Sequence, residues 1–212
     1  MVIVTGLWDS FKSRFSSEMA RSIVSGEPFL NHFPIQKRGA VLIIQKEINE
    51  GFYDERFLQL AGGLSSDTPF YLSYDKEFRF QAGYGKGLRE VIEDLGLKLI
   101  VFDPLTYFWP TDRSFDENQS GPVSAALAPL LNLRDTGCSF ILVHHDPKPS
   151  MAGAGVARGS SVLVNAPDVR ILLRREYDDL EVYARTRNVR GAGKFKARIT
   201  DTGRLTYVGQ GK

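Results

Sequence analysis

Cysteine is nearly missing from this chain: Cys138 stands alone, so no internal disulfide can form, and its place at the head of an apolar run suggests core packing. Long apolar runs are missing too. No stretch approaches ~18 consecutive apolar residues, and no charged region precedes an apolar core at the N-terminus. Neither a membrane span nor a secretory signal is expected, and the location read from this is cytoplasmic. Low-complexity tracts and fixed-period repeats are absent. Charge of one sign is scarcely in excess, with 27 Lys and Arg against 25 Asp and Glu, so the net charge of +2 says little about partners taken globally. What remains is a chain of 212 residues, 42% hydrophobic and 25% charged, values ordinary for one soluble globular domain.

Two apolar runs end abruptly in polar side chains, KLIVFD at 98–103 and SFILVHH at 139–145. Runs without alternation suggest strands buried on both faces, as parallel sheets require, and ligands gather outside the carboxyl ends of such strands. Asp103, His144 and His145 would then share one crevice. Further strands are expected at MVIVT (1–5), AVLIIQ (40–45) and FYLSY (70–74). Helices are expected from the spacing of Phe15, Met19, Ile23 and Val24, at 52–60, at 87–95 and at 122–134. Strands alternating with helices imply a mostly parallel sheet flanked by helices, with right-handed crossovers. After residue 168 the rhythm changes to VRILLRR, LEVYARTR, FKARIT and LTYV, which reads as an antiparallel extension. The fold class is α/β, a single domain 1–212 with a parallel core over 1–168 and an antiparallel extension over 169–212.

Between the first strand and first helix lies GLWDSFKS, residues 6–13, which matches the phosphate-loop pattern G-x-x-x-x-G-K-S except that Phe11 holds the second glycine position. Such a loop aims backbone N–H groups at phosphates, with a lysine ammonium, a hydroxyl for Mg²⁺ and a helix N-terminus behind them. Gly6, Lys12 and Ser13 supply the diagnostic groups; an ordinary strand-to-helix turn is the alternative. Nucleotide contacts are expected from Gly6, Asp9, Ser10, Phe11, Lys12, Ser13 and Arg14, and from His144. The Phe11 ring must point away from the nucleotide, and the Asp9 carboxylate should face solvent, because a carboxylate ~4 Å from a phosphate oxygen would cost about 1 to 4 kcal/mol. The glycine-rich GYGKG at 83–87 lacks a following hydroxyl and reads as a turn before a helix.

Asp103, ending its strand, can hold Mg²⁺ opposite Ser13. Glu47, just past the second strand, can polarise a water aimed at the γ-phosphate, and is preferred to Glu50. Adjacent strand residues point to opposite faces, so one of His144 and His145 faces the nucleotide and the other packs. Between Arg185 and Arg198 lie six basic residues and no acidic one. They suit either a solvated basic hairpin or a surface that touches phosphate.

Together these residues resemble the RecA-like ATPase core of plasmid RepA-type hexameric replicative helicases and their phage relatives, over nearly the whole chain. The most specific phrases are SGEPFLNHF at 25–33, DPL at 103–105, DEN at 116–118, DTGCSFILVHHDPK at 135–148 and GAGVARGSSVLVNAPDVR at 153–170. The resemblance implies ATP and Mg²⁺ as cofactors, with Lys12 and Ser13 on phosphate and metal, Glu47 as catalytic base, Asp103 as metal-side acid and His145 as γ-phosphate sensor. RTRN at 185–188 is similar to a K-x-R-N phrase of replicative hexamers, which implies that Arg187 reaches a neighbour's γ-phosphate. Loops 105–121 and 146–158 would line a ring's channel, with Lys148 and Arg158 on single-stranded DNA. The expected function is ATP hydrolysis in a DNA helicase or translocase; the alternative is an ATP-binding switch or accessory module without unwinding.

Overall fold

A computed structural model describes residues 1–47, 50–145, 160–187 and 192–211. Nine strands form one sheet in the order β3-β2-β4-β5-β1-β6-β7-β8-β9. Six of them are β1 (Val2–Gly6), β2 (Ala40–Gln45), β3 (Phe70–Ser73), β4 (Leu97–Asp103), β5 (Ser139–His145) and β6 (Val169–Glu176), joined by parallel ladders. The other three, β7 (Asp179–Thr186), β8 (Ala192–Ile199) and β9 (Leu205–Gln210), continue the sheet by antiparallel pairing. A parallel core followed by antiparallel strands is present, but the change comes one strand later than the sequence rhythm suggests: β6, expected in the antiparallel extension, pairs parallel with β1, and antiparallel pairing begins between β6 and β7.

The central strands bury both faces, and alternation sorts their side chains. Val41, Ile43, Leu99, Val101, Ile141 and Val143 join one apolar cluster with Phe15 and Val24 of α1 (Lys12–Ser25). Leu42, Ile44, Ile100, Phe102, Phe140 and Leu142 join the other, with Leu88 and Ile92 of α3 (Tyr84–Leu95), Leu127 and Leu130 of α4 (Ser120–Asn132), and Leu163 of the short α5 (Val162–Asn165). Helices on both faces follow from runs apolar at every position. Gly26 stops α1 in the left-handed region, its N–H donating to Ser22 O. α2 (Glu50–Ala61) follows β2.

Two further expectations need correction. GYGKG is not a turn ahead of α3: the helix begins at Tyr84, and Gly85 and Gly87 lie inside it. Gly85 is there for closeness, since a Cβ would stand 2.9 Å from Pro129 Cβ of α4. Nor is all of 105–121 an open loop. Leu105, Phe108 and Trp109 are buried, and Phe102 packs edge-on against both Phe80 and Phe108, which stack on one another.

Candidate nucleotide site

β1 delivers the loop 6–11 to the carboxyl end of the sheet between β5 and β6, and register fixes its neighbours. Gly6 lies level with His145 on one side and Leu173 on the other. A Cβ at Gly6 would collide with Ser10 Oγ and stand 2.6 Å from Leu173 O, so only glycine fits. Beyond it the backbone turns left-handed at Asp9 (φ 60°) and again at Phe11 (φ 58°, ψ 23°), which opens α1. Left-handed residues within a turn gather successive N–H groups into an anion-binding concavity, and residue 11 is the position where the usual motif has its second glycine. Here two side-chain-bearing residues adopt the left-handed conformation.

Inside the loop, Lys12 Nζ donates to Leu7 O at 2.6 Å and lies 3.4 Å from Ser10 Oγ. Ser10 Oγ donates to the same carbonyl at 2.7 Å. A buried ammonium held on a loop carbonyl and a hydroxyl stands where a phosphate oxygen would be the stronger acceptor. Phe11 packs against the α1-side cluster. The Asp9 side chain is 57% exposed yet is held by Arg175, whose Nη1 lies 2.5 Å from Asp9 Oδ2. Arg14 turns toward the extension, where its guanidinium donates to Gly203 O in the β8–β9 turn.

Asp103 ends β4 with 1% of its surface exposed and accepts from the Ser13 hydroxyl. Burial pushes its carboxyl up to about 6, with Glu47 adding repulsion, while Ser13, His145 and Lys12 pull the other way. Gln45 Nε2 donates to Asp103 Oδ2 at 3.2 Å, and Gln45 Oε1 accepts from the Glu47 N–H at 2.8 Å. Gln45 thus ties the acid of β4 to the carboxylate past β2. His145 Nε2 lies 3.8 Å from Glu47 Oε2, long for a hydrogen bond and within ion-pair reach when the imidazole is protonated. That imidazole first, then Lys12, holds the Glu47 carboxyl below its ordinary value against the opposing effect of burial. Glu47 is therefore ionised at neutral pH and able to orient a water.

The donor set fits a divalent cation. Asp103 is a dehydrated carboxylate whose negative form lacks a full counter-charge, and the Ser13 hydroxyl already touches it; cation binding would relieve the burial that raises its pKa. Among the described residues no group of three His, Cys, Asp or Glu could hold a metal, so the two histidines are not part of such a cage. His144 is buried at 2%, inside the sheet, and His145 is the histidine that faces the cleft.

Arg185 and Arg187 lie elsewhere. Thr186 pairs with Val169, which pairs with Val2, so the arginines flank the amino end of β1, four residues or ~13 Å along the strand from Gly6. They do not reach their own chain's phosphate loop. Lys148 and Arg158 lie outside the described residues. Within 110–119, Asp112 and Asp116 cap their own turns, on Ser114 and Asn118. Two side chains went unnoticed in the sequence. Gln45 could have been found from its place at the end of the β2 run; Arg175 could not, because only the β1–β6 register brings it to residue 9.

The model of a family described as an AAA domain matches residues 1–151. Among solved structures, a DnaB-like replicative helicase, determined in a study of its interactions with primase, superposes with a TM-score of 0.73 at 12% identity. The match covers 97% of this chain and 57% of that one, so the chain spans little more than half of its structural relative. No curated protein matches the sequence. The RecA-like fold expected from the sequence is the fold observed.

Proposed function

The chain belongs to the AAA domain family, and from that premise we propose that it is a Mg²⁺-dependent ATPase of the RepA-type helicase group, assembling as a ring and acting on single-stranded DNA. The observation that carries the reading is the continuous linkage at the carboxyl end of the sheet: buried Lys12 in the loop, Ser13 on Asp103, Asp103 on Gln45, Gln45 on Glu47, Glu47 beside His145. These side chains come from four segments and have no shared packing reason to converge.

Lys12 would exchange Leu7 O for a β- or γ-phosphate oxygen, and the loop N–H groups would hold the rest of the chain of phosphates. Ser13 and Asp103 would hold Mg²⁺, which when bound neutralises charge building on the phosphates. Glu47 orients a water in line with the γ-phosphorus; a bond forms from water oxygen to phosphorus as the water's proton passes to the Glu47 carboxylate, the bond to the β-phosphate oxygen breaks with its electron pair staying on ADP, and ADP and phosphate leave. His145 reads the γ-phosphate and passes its presence to Glu47. Arg187 of a neighbouring copy supplies the positive charge that this chain's own Arg187, at the amino end of β1, is placed too far away to give. Lys148 and Arg158 are assigned to the DNA backbone on the resemblance to RepA-type cores.

The test is ATP turnover with Mg²⁺, with and without single-stranded DNA, alongside native mass. Lys12→Ala should abolish turnover, and unchanged hydrolysis in that variant sinks the assignment. A second reading, an ATP-binding switch that does not unwind, is favoured by the substituted loop with its left-handed Asp9 and Phe11. A motor should be stimulated several-fold by single-stranded DNA; a switch should bind ATP and show no stimulation.

A further inference from the structure

The loop conformation at Asp9 and Phe11 needs an explanation, because a left-handed backbone is disfavoured for residues that carry a Cβ. One side chain touches both. Arg175 Nη1 lies 2.5 Å from Asp9 Oδ2 and 3.4 Å from Asp9 O, and its guanidinium carbon sits 4.0 Å from the centroid of the Phe11 ring. Its Nε donates to Tyr177 O at 2.8 Å, which fixes the arginine on the β6–β7 turn. Its position is set by the sheet: Leu173 is level with Gly6, so Arg175, two residues on along β6, stands beside the loop past the end of β1. It meets the loop at the Phe11 ring and at the half-exposed Asp9 carboxylate.

We infer that Arg175 is a positioning residue for the phosphate loop, clamping Asp9 by charge and Phe11 by stacking, and so holding in the left-handed conformation two residues that carry side chains, one of them at the motif's second glycine position. The inference rests on the proposed nucleotide site and adds a dependency to it: phosphate affinity is set in part by the β6–β7 hairpin, 166 residues away in sequence. Asp9, which would be unfavourable facing a phosphate, is useful on the outside as the anchor for the clamp. Phe11, which fills a glycine position, presents the ring that the guanidinium covers.

The experiment is a cycle on the full chain, reading affinity for a fluorescent ATP analogue with Mg²⁺. Arg175→Ala in the natural loop should weaken binding by about tenfold, the scale of one unsupported left-handed residue plus a lost cation–π contact. Arg175→Lys, which keeps charge but loses the planar stack, should fall between. In a background where Asp9→Gly and Phe11→Gly supply permissive residues, Arg175→Ala should change binding less than twofold. Equal affinity of wild type and Arg175→Ala overturns the inference. So does an equal loss in both backgrounds, which would mean that Arg175 touches the nucleotide or merely supports the fold. Hydrogen exchange of the residue 9–12 amides without nucleotide gives an independent reading: Arg175→Ala should speed it locally with the melting temperature unchanged, and unaltered exchange counts against the clamp. If wild type binds no nucleotide, the functional proposal fails, and the exchange result still decides whether the clamp exists.

Discussion

Replacing Asp103 by Asn should make the Mg²⁺-free protein more stable at pH 8 while removing its response to Mg²⁺. Asp103 is wholly buried, and burial is the main reason its carboxyl is raised from 3.8 to about 6. The native state therefore binds this proton more tightly than the unfolded chain does. The stability it confers is full below pH ~4 and is lost as pH rises through about 6. The difference between the two values corresponds to about 3 kcal/mol at ~1.4 kcal/mol per tenfold change in proton affinity. Asparagine carries no charge and keeps an oxygen for the Ser13 or Gln45 donor, so most of that should be recovered, about 2 to 3 kcal/mol. For a domain of this size that is about 5 to 10 °C in melting temperature.

The assay is thermal and urea unfolding of both proteins in chelator from pH 4.5 to 8. The variant should match wild type at the acid end and pull ahead between pH 5 and 7. Added Mg²⁺ should then raise the wild-type melting temperature and leave Asp103→Asn where it was. A variant no more stable than wild type at pH 8 would show that Asp103 carries no unrelieved charge, and would remove the argument that the site is built for a cation.

Glu47→Gln should keep ATP affinity within about threefold and lower turnover by a factor of ~10² or more, as loss of a positioned base does; binding lost in step with turnover would make Glu47 structural. Arg187→Ala should bind ATP normally yet lose hydrolysis, and mixing it with Lys12→Ala should restore part of the rate, because each supplies what the other lacks; no recovery on mixing refutes delivery between copies. Cys138 is buried, and burial pushes its thiol up to about 12. It should resist a disulfide reagent at pH 8 until denaturant is added, and rapid labelling of the native protein would contradict its placement.

The strands that were plain in the sequence are those whose physics is local. AVLIIQ and SFILVHH are apolar at consecutive positions, and the β2 and β5 strands have those bounds. The start of α3 was not legible, because glycine normally marks a turn; here Gly85 serves the approach of Pro129, a contact made 44 residues later. Within the site, GLWDSFKS pointed to the loop, and strand ends pointed to Asp103 and His145. Gln45 gives no chemical signal of a site role in the sequence, since an amide carries no catalytic signature of its own. The Arg175 contact is invisible in one dimension, being a product of parallel register between residue 6 and residue 173.

The strand order also has a consequence for how the molecule is made. β2, β3 and β4 pair among themselves within residues 40–103, whereas β1, first in sequence, pairs only with β5 and β6. Its ladder partners begin at residues 139 and 169. During synthesis the segment that forms the phosphate loop must wait, apolar and unpaired, for most of the chain to emerge, and such closures are slow. A ribosome-bound chain ending before residue 139 should contain folded sheet but no loop able to hold a phosphate.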